Sequence, residues 1–270
     1  MRIIKATSPI TPEIALTMGG KGSNLYKLTQ SGAAVPPFFV LGSPCFTEFL
    51  TGFQAEFERI VDALDCSTPA RVAETSRQVR EFLCQQRMPA AIAQEAMLAL
   101  KEIAGEGDFL AVRSSALGED SKEFSYAGML DSYLFRKTPE EVQQAVLECW
   151  ASLYSDRAVA YRHMRGVSQK GLAMAVVVQK MIDGSASGVT FTVNPNTKYA
   201  DEILISAVPG LGEGLVSGGL DADQFVVLKG DTYAIDTRTV ADKVGRVVFD
   251  RDKGFGTIEK ELPPETRNKA

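Results

Sequence analysis

The chain has 270 residues, 45% of them hydrophobic and 23% charged, which is ordinary globular composition and excludes a disordered, collagen-like or disulfide-stapled chain. Its 29 Lys and Arg against 34 Asp and Glu give a formal charge of −5. That sign repels phosphates at long range and argues against a general nucleic-acid or membrane-surface binder, while leaving room for a local basic pocket. The first hundred or so residues read mostly as helix. Gly22–Ser31 carries Leu25 and Leu28 on one face, and Phe38–Leu41 reads as a short strand after Pro36-Pro37. Ser43–Leu64 spaces Phe46, Phe49, Leu50, Phe53, Phe57, Ile60, Val61 and Leu64 as one helix, opened by Ser43-Pro44. Two more helices are expected near Ala70–Arg87 and Pro89–Ala104.

From Phe109 the pattern changes. Phe109–Arg113 and Asp131–Phe135 read as strands, and Pro139–Arg165 as one long helix with Val142, Val146, Cys149, Trp150 and Leu153 on its core face. Leu172–Ile182, Gly188–Val193 and Glu202–Ala207 are expected strands, followed by hairpins around Lys229-Gly230-Asp231 and Asp250–Gly254. Helices first and strands later suggest an α+β fold with a boundary near Asp183-Gly184. Leu262–Ala270 reads as a linker, as in a domain cut from something longer. Cys45, Cys66, Cys84 and Cys149 form no CxxC pair and read as free thiols of a reducing cytosol. His163 is the one histidine, which leaves multi-histidine metal sites and Ser-His or Cys-His catalysis hard to build; it reads as structural or surface-lying. The N-terminus lacks the apolar core of a signal peptide, and the longest aliphatic run, Leu172–Val178, is far short of the ~20 residues of a spanning helix.

Five stretches carry chemistry. Met18–Leu25 (MGGKGSNL) sets three glycines around Lys21 at a helix start, where free N–H groups and a point charge suit an anion; a flexible turn with a solvated lysine fits equally. It is not a GxxxxGK[ST] loop, since Ala15 and Gly22 stand at defining positions. In Ala111–Ala116 (AVRSSA), Arg113 presents a fork to phosphate oxygens or pairs with Glu119, Asp120 or Glu123. In Phe124–Ser132, Gly128 and Ser132 belong to a small-residue loop able to cover phosphates, or to a plain turn. Val176–Gly184 leads a buried strand through Gln179, Met181 and Ile182 into a hinge that offers backbone groups to an adenine edge, or merely connects core strands; Ser187–Pro195 (SGVTFTVNP) follows. Gly210–Gly219 holds five glycines in ten residues, too many for a packed element, and Glu213 is its one acid. It is expected to be mobile and to close over ligand.

In this order the five stretches resemble the N-terminal nucleotide-binding domain of the phosphoenolpyruvate synthase and pyruvate phosphate dikinase family, of which the rifampin phosphotransferases are a branch. The GGKGSNL, AVRSSA and SGVTFTVNP segments are specific as an ordered set. The resemblance implies an ATP-grasp fold, with a helix-rich lobe over residues 1–183 and a β-rich, truncated second lobe over 184–270. It implies ATP and Mg2+ as cofactors. Lys21 and Arg113 would hold the ATP phosphates and serve catalysis, Gly128 and Ser132 would cover them, Gln179 would lie near adenine or ribose, and Met181 and Ile182 would meet adenine through the backbone. Glu213 belongs to the closing loop. The family's magnesium-binding acid, its QxRP strand and its phosphohistidine domain fall outside this sequence, so no residue here is assigned to metal, and the chain alone is expected to be inactive. The implied function is the ATP domain of a cytoplasmic phosphotransferase that phosphorylates a histidine on a separate domain, en route to phosphoenolpyruvate. A non-catalytic nucleotide-binding module, or the ATP domain of an antibiotic phosphotransferase, is the alternative.

Overall fold

Two runs without a polar face organise the first part of the chain. Phe38–Leu41 and Met174–Val178 are buried along their whole length, as strands covered on both sides must be. The computed structural model describes residues 1–117, 130–253 and 256–269, which divide into two units, Met1–Met181 and Ile182–Ala270.

The first unit runs β1 (Ile3–Lys5), α1 (Pro12–Leu16), α2 (Gly19–Gln30), β2 (Phe38–Leu41), α3 (Ser43–Leu50), α4 (Gln54–Asp62), α5 (Pro69–Cys84), α6 (Ala90–Ile103), β3 (Leu110–Ala116), β4 (Ser132–Arg136), α7 (Pro139–Ala151), α8 (Asp156–Met164) and β5 (Met174–Lys180). Its sheet has the order β1-β2-β5-β3-β4 and every pairing is antiparallel. Strand alternation sorts the buried side chains onto two faces. Phe39, Leu41, Leu110, Val112, Val176 and Val178 join the large core under the helices, with Phe46, Phe49 and Trp150. Ring centroids of Trp150 lie 5.6 Å from Phe46 and 4.9 Å from Phe49. The opposite face buries Phe38, Val40, Ala175 and Val177 beside Ile4 and Met18, with Leu25 and Tyr26 of α2 packed against them. Leu28, expected beside Leu25, is instead exposed.

Two expected long helices are each broken. Ser43–Leu64 is α3 and α4, separated by a turn around Gly52; glycine's backbone freedom outweighs the helical spacing of the flanking aromatics. Pro139–Arg165 is α7, a 3-10 turn at Ser152–Tyr154, and α8. Ser155 is extended (φ −63°, ψ 152°), and its side chain caps α8 by accepting from Ala158 N–H. Serine competes for backbone donors and so favours a new helix start over continuation. At the other end of α7, Thr138 and Glu141 form a reciprocal capping box.

The second unit runs β6 (Ala186–Phe191), β7 (Glu202–Pro209), α9 (Glu213–Val216), β8 (Asp223–Leu228), β9 (Ile235–Thr239), β10 (Gly245–Phe249), β11 (Thr257–Glu261) and α10 (Pro264–Arg267). β6-β7-β8-β9 form an antiparallel sheet and β10-β11 a separate hairpin. The glycine-rich stretch 210–219 contains a helical turn, α9, where no packed element was expected. Gly214 is buried so closely on Leu220 and Val247 that a Cβ would overlap them; here the glycine is needed for close approach. The expected linker after Leu262 likewise holds α10, and Leu262 N–H donates to Val244 O at 2.8 Å.

Inside the second unit, Lys243 Nζ lies 2.6 Å from Asp223 Oδ1, with side chains only 4% and 7% exposed. Ala241 N–H donates to the same carboxylate oxygen at 2.9 Å, and Lys243 also donates to Ala241 O at 3.2 Å. Removing one member strands a buried charge, which costs about 3–5 kcal/mol, whereas replacing both by apolar groups is often near neutral. Lys243→Met is therefore expected to lower the urea midpoint of this unit sharply, and Lys243→Met with Asp223→Leu to recover most of the loss. Equal midpoints for the single and double variants would contradict this account.

Candidate functional site: a helix start docked on a strand

The N-terminus of α2 has no side-chain cap of its own. A residue from β3 takes that role. Ser115 Oγ accepts from Gly22 N–H at 3.0 Å and donates to Met18 O at 2.8 Å, in a buried setting. Gly19, at φ +67°, lies so near Ser115 that a Cβ would fall on its carbonyl oxygen, so both the left-handed backbone and the contact require glycine. Gly22 packs on the Val40 side chain less tightly, a Cβ there standing 3.2 Å from Val40 Cγ2. The glycines of GGKGSNL thus bring the helix onto the strand, and Lys21 is carried with them to the end of β3.

Register places the other residues. Arg113 on β3 stands opposite Ser132 on β4 and Val177 on β5. Their side chains leave the same sheet face, the one on which α2 packs. The Lys21 charge is felt at the Cys149 thiol, which lies against the carbonyls of Val112 and Asp131. Arg113 and Ser132 thus share the sheet face on which α2, the helix that carries Lys21, packs. Burial pushes the Cys149 thiol well up, and Lys21 offsets this only in part, so the thiol stays protonated and is no nucleophile. The other three cysteines are free as well, and burial pushes Cys45 up to about 12.

Arg113 is half-buried, and among the described residues it makes no side-chain hydrogen bond and no ion pair. A guanidinium in that position is suited to an oxyanion. Glu119, Asp120, Glu123 and the loop residue Gly128 lie outside the described residues.

Gln179 and Met181 serve the scaffold on β5. Gln179, 8% exposed, stands opposite Ala111 and Phe38, and its amide donates to Pro36 O at 3.2 Å. Met181 N–H donates to Phe109 O at 2.8 Å, so that donor is already used within the unit; its Sδ accepts from Phe135 N–H at 3.1 Å. Phe135 itself holds a left-handed φ of 58°. Ile182 is 61% exposed at the start of the second unit, where Glu213 opens α9 with an exposed side chain. His163 is exposed on α8. Sequence reasoning missed the role of Ser115. The adjacent Ser114 is just as buried but turns the other way, donating to Asp131 O at 2.9 Å, and two neighbouring serines give no signal as to which will meet a helix.

Comparison with known proteins gives a family and several relatives. The family described as pyruvate phosphate dikinase, AMP/ATP-binding domain matches residues 15–270. The chain is 38% identical over 257 residues to a probable phosphoenolpyruvate synthase of Methanothermobacter thermautotrophicus, covering 93% of this chain and 37% of the relative. It is 31% identical over 295 residues to the phosphoenolpyruvate synthase of Pyrococcus furiosus (95% and 36%), and 34% identical over 258 residues to that of Aeropyrum pernix (93% and 31%). It thus spans about a third of these relatives' lengths. An α+β chain with such a match is a nucleotide-binding domain by class. It belongs to the pyruvate phosphate dikinase AMP/ATP-binding domain family.

The docking of α2 carries a prediction. Ser115→Ala leaves the buried Met18 O and Gly22 N–H without a side-chain partner, at a cost of about 1–3 kcal/mol. Gly19→Ala adds backbone strain of about 1–3 kcal/mol to a steric overlap. Chemical denaturation should show both losses, with Gly19→Ala the larger. A neutral Gly19→Ala would refute the close approach.

Proposed function

We propose that the chain is an ATP-grasp domain that binds the phosphates of ATP with Lys21 and Arg113, within a longer phosphotransferase. The observation that carries this reading is Arg113, a half-buried cation without a described partner, on the face that also receives the glycine-rich start of α2. Ser132, directly opposite Arg113, supplies a hydroxyl to the same oxygens. Gly128 belongs with it in the covering loop. Gln179 shapes the floor of the nucleotide pocket from β5, Met181 and Ile182 form the adenine edge, and Glu213 belongs to a closing segment. Because Met181 N–H is bonded to Phe109 O, the adenine contact falls to the peptide between Met181 and Ile182.

Magnesium, if bound with the phosphates, would neutralise their charge during transfer. Among the described residues no three His, Cys, Asp or Glu side chains form a metal-holding group, and no step is assigned to a metal ligand of this chain. The parent protein passes the phosphoryl group to a histidine on another of its domains. The relatives' name, phosphoenolpyruvate synthase, favours pyruvate over an antibiotic as final acceptor; a cytoplasmic setting belongs to the same reading. No described helix is long and apolar enough to cross a membrane.

ATP at about ten times its dissociation constant stabilises the native state by roughly 1.4 kcal/mol, a melting shift of about 3–6 °C. Each charged hydrogen bond contributes about 1.5–3 kcal/mol, so Lys21→Met and Arg113→Met should each weaken ATP binding roughly 10- to 100-fold by calorimetry. The ligand-free melting temperature of Arg113→Met should be unchanged. Wild-type affinity in Arg113→Met would overturn the assignment.

A further inference from the structure

The second unit contains a cluster of cations that the proposed ATP site does not use. In the β10-β11 hairpin, Arg246 stands directly opposite Lys260. Like charges in that relation repel, and sheets normally avoid them. Among the described residues neither has an ion-pair partner. Both line a cavity of about 280 Å³ together with Arg251, Gly184, Ser185 and Gly210. The acid in its lining, Asp183, lies 3.6 Å from Arg251, and both of those side chains are largely exposed. Three cations against one carboxylate leave the cavity with a surplus of two positive charges.

The backbone shapes the cavity for a ligand. Gly210, at φ +78°, is held by its N–H to Ser185 O at 2.8 Å, and Leu211 N–H donates to Val247 O at 2.8 Å. A Cβ at Gly210 would overlap Val247 O and press on the Arg246 Cβ. This keeps the wall beneath Arg246 bare of side chain. Among the described residues the N–H groups of Gly184 and Ser185, both in the lining, have no backbone acceptor.

We propose that this cavity is a second anion site, built wholly from the second unit, that takes a phosphate dianion carried by a small molecule. The surplus charge matches a dianion, and the guanidinium of Arg246 presents the planar fork that phosphate oxygens prefer. The cavity volume suits a phosphomonoester or diphosphate rather than a large cofactor. The anion would relieve the repulsion between Arg246 and Lys260, so the strain in the empty hairpin becomes binding free energy.

The test uses the whole chain with inorganic phosphate, pyrophosphate and glycerol phosphate as probes, at fixed ionic strength. Binding is read by calorimetry and by thermal shift. Arg246→Gln, Lys260→Gln and the double variant are compared with Arg113→Met, which disables the proposed ATP site. Wild type and Arg113→Met should bind one of the probes alike. Arg246→Gln and Lys260→Gln should each weaken that binding at least tenfold, while the ligand-free melting temperature stays level or rises as the like-charge pair is removed. Free phosphate bound as tightly as the ester would make the ion itself the ligand, whereas tighter glycerol phosphate would make it an ester, and both support the site. Phosphate binding abolished by Arg113→Met and untouched by Arg246→Gln would overturn it. So would a hairpin destabilised by Lys260→Gln, since the two cations would then be holding the fold rather than awaiting a ligand.

Discussion

The docking of α2 on the sheet of the first unit turns on one hydroxyl group. Ser115 sits at the end of a strand and completes the first turn of a helix nearly a hundred residues earlier, giving to Met18 O and taking from Gly22 N–H. Helix starts leave N–H groups without intrahelical partners, and these are usually met by the residue just before the helix. Here that position is Met18, which has no side-chain acceptor. The vacancy is filled from β3, so the helix cannot complete its own start except by docking. Local structure and tertiary contact are thereby one event, and Lys21 is positioned by the same bond that stabilises the turn.

Glycine makes the docking possible in a second way. Electrostatic attraction cannot bring two backbones together if a Cβ stands between them. Gly19 and Gly22 remove that obstacle against Ser115 and Val40. The second unit repeats the device with Gly210 against Val247 and Gly214 against Leu220. Gly19, Gly22, Gly210 and Gly214 look like looseness in the sequence and are places of close contact, whereas Gly218 meets nothing. Composition reports the missing side chains, and only the packing partner reports the reason.

Much of the remaining fold was readable because its signals are local. The apolar runs Phe38–Leu41 and Met174–Val178, the Pro-initiated helices and the hairpin spacings all declare themselves within ten residues or so. The breaks at Gly52 and Ser155 were hidden because the aromatic and aliphatic spacing continues across them, from Phe49 to Phe53 and from Trp150 to Val159. The core accepts those side chains from either side of a kink. At the site, Lys21 and Arg113 were visible as cations in unusual company, and Ser132 as a hydroxyl. What places Arg113 opposite Ser132 is strand register, and what docks the helix of Lys21 on the same sheet is the Ser115 bond, neither of which any single stretch of sequence encodes.

The order of strands has a bearing on how the molecule comes into being. β5 is the last strand of its sheet in sequence and yet lies at its centre, between β2 and β3. As the polypeptide leaves the ribosome, Phe38–Leu41 emerges well over a hundred residues before the strand that covers its open edge. β3 must wait in the same way. Pairings so distant in sequence are slow to form, and uncovered apolar edges are sticky meanwhile. The helices between them, α3 to α8, are encoded within that interval and are able to gather around Trp150 first. A nascent chain therefore carries a helical mass with two unsatisfied strands until Met174–Lys180 slides between them and closes the sheet in a single stroke.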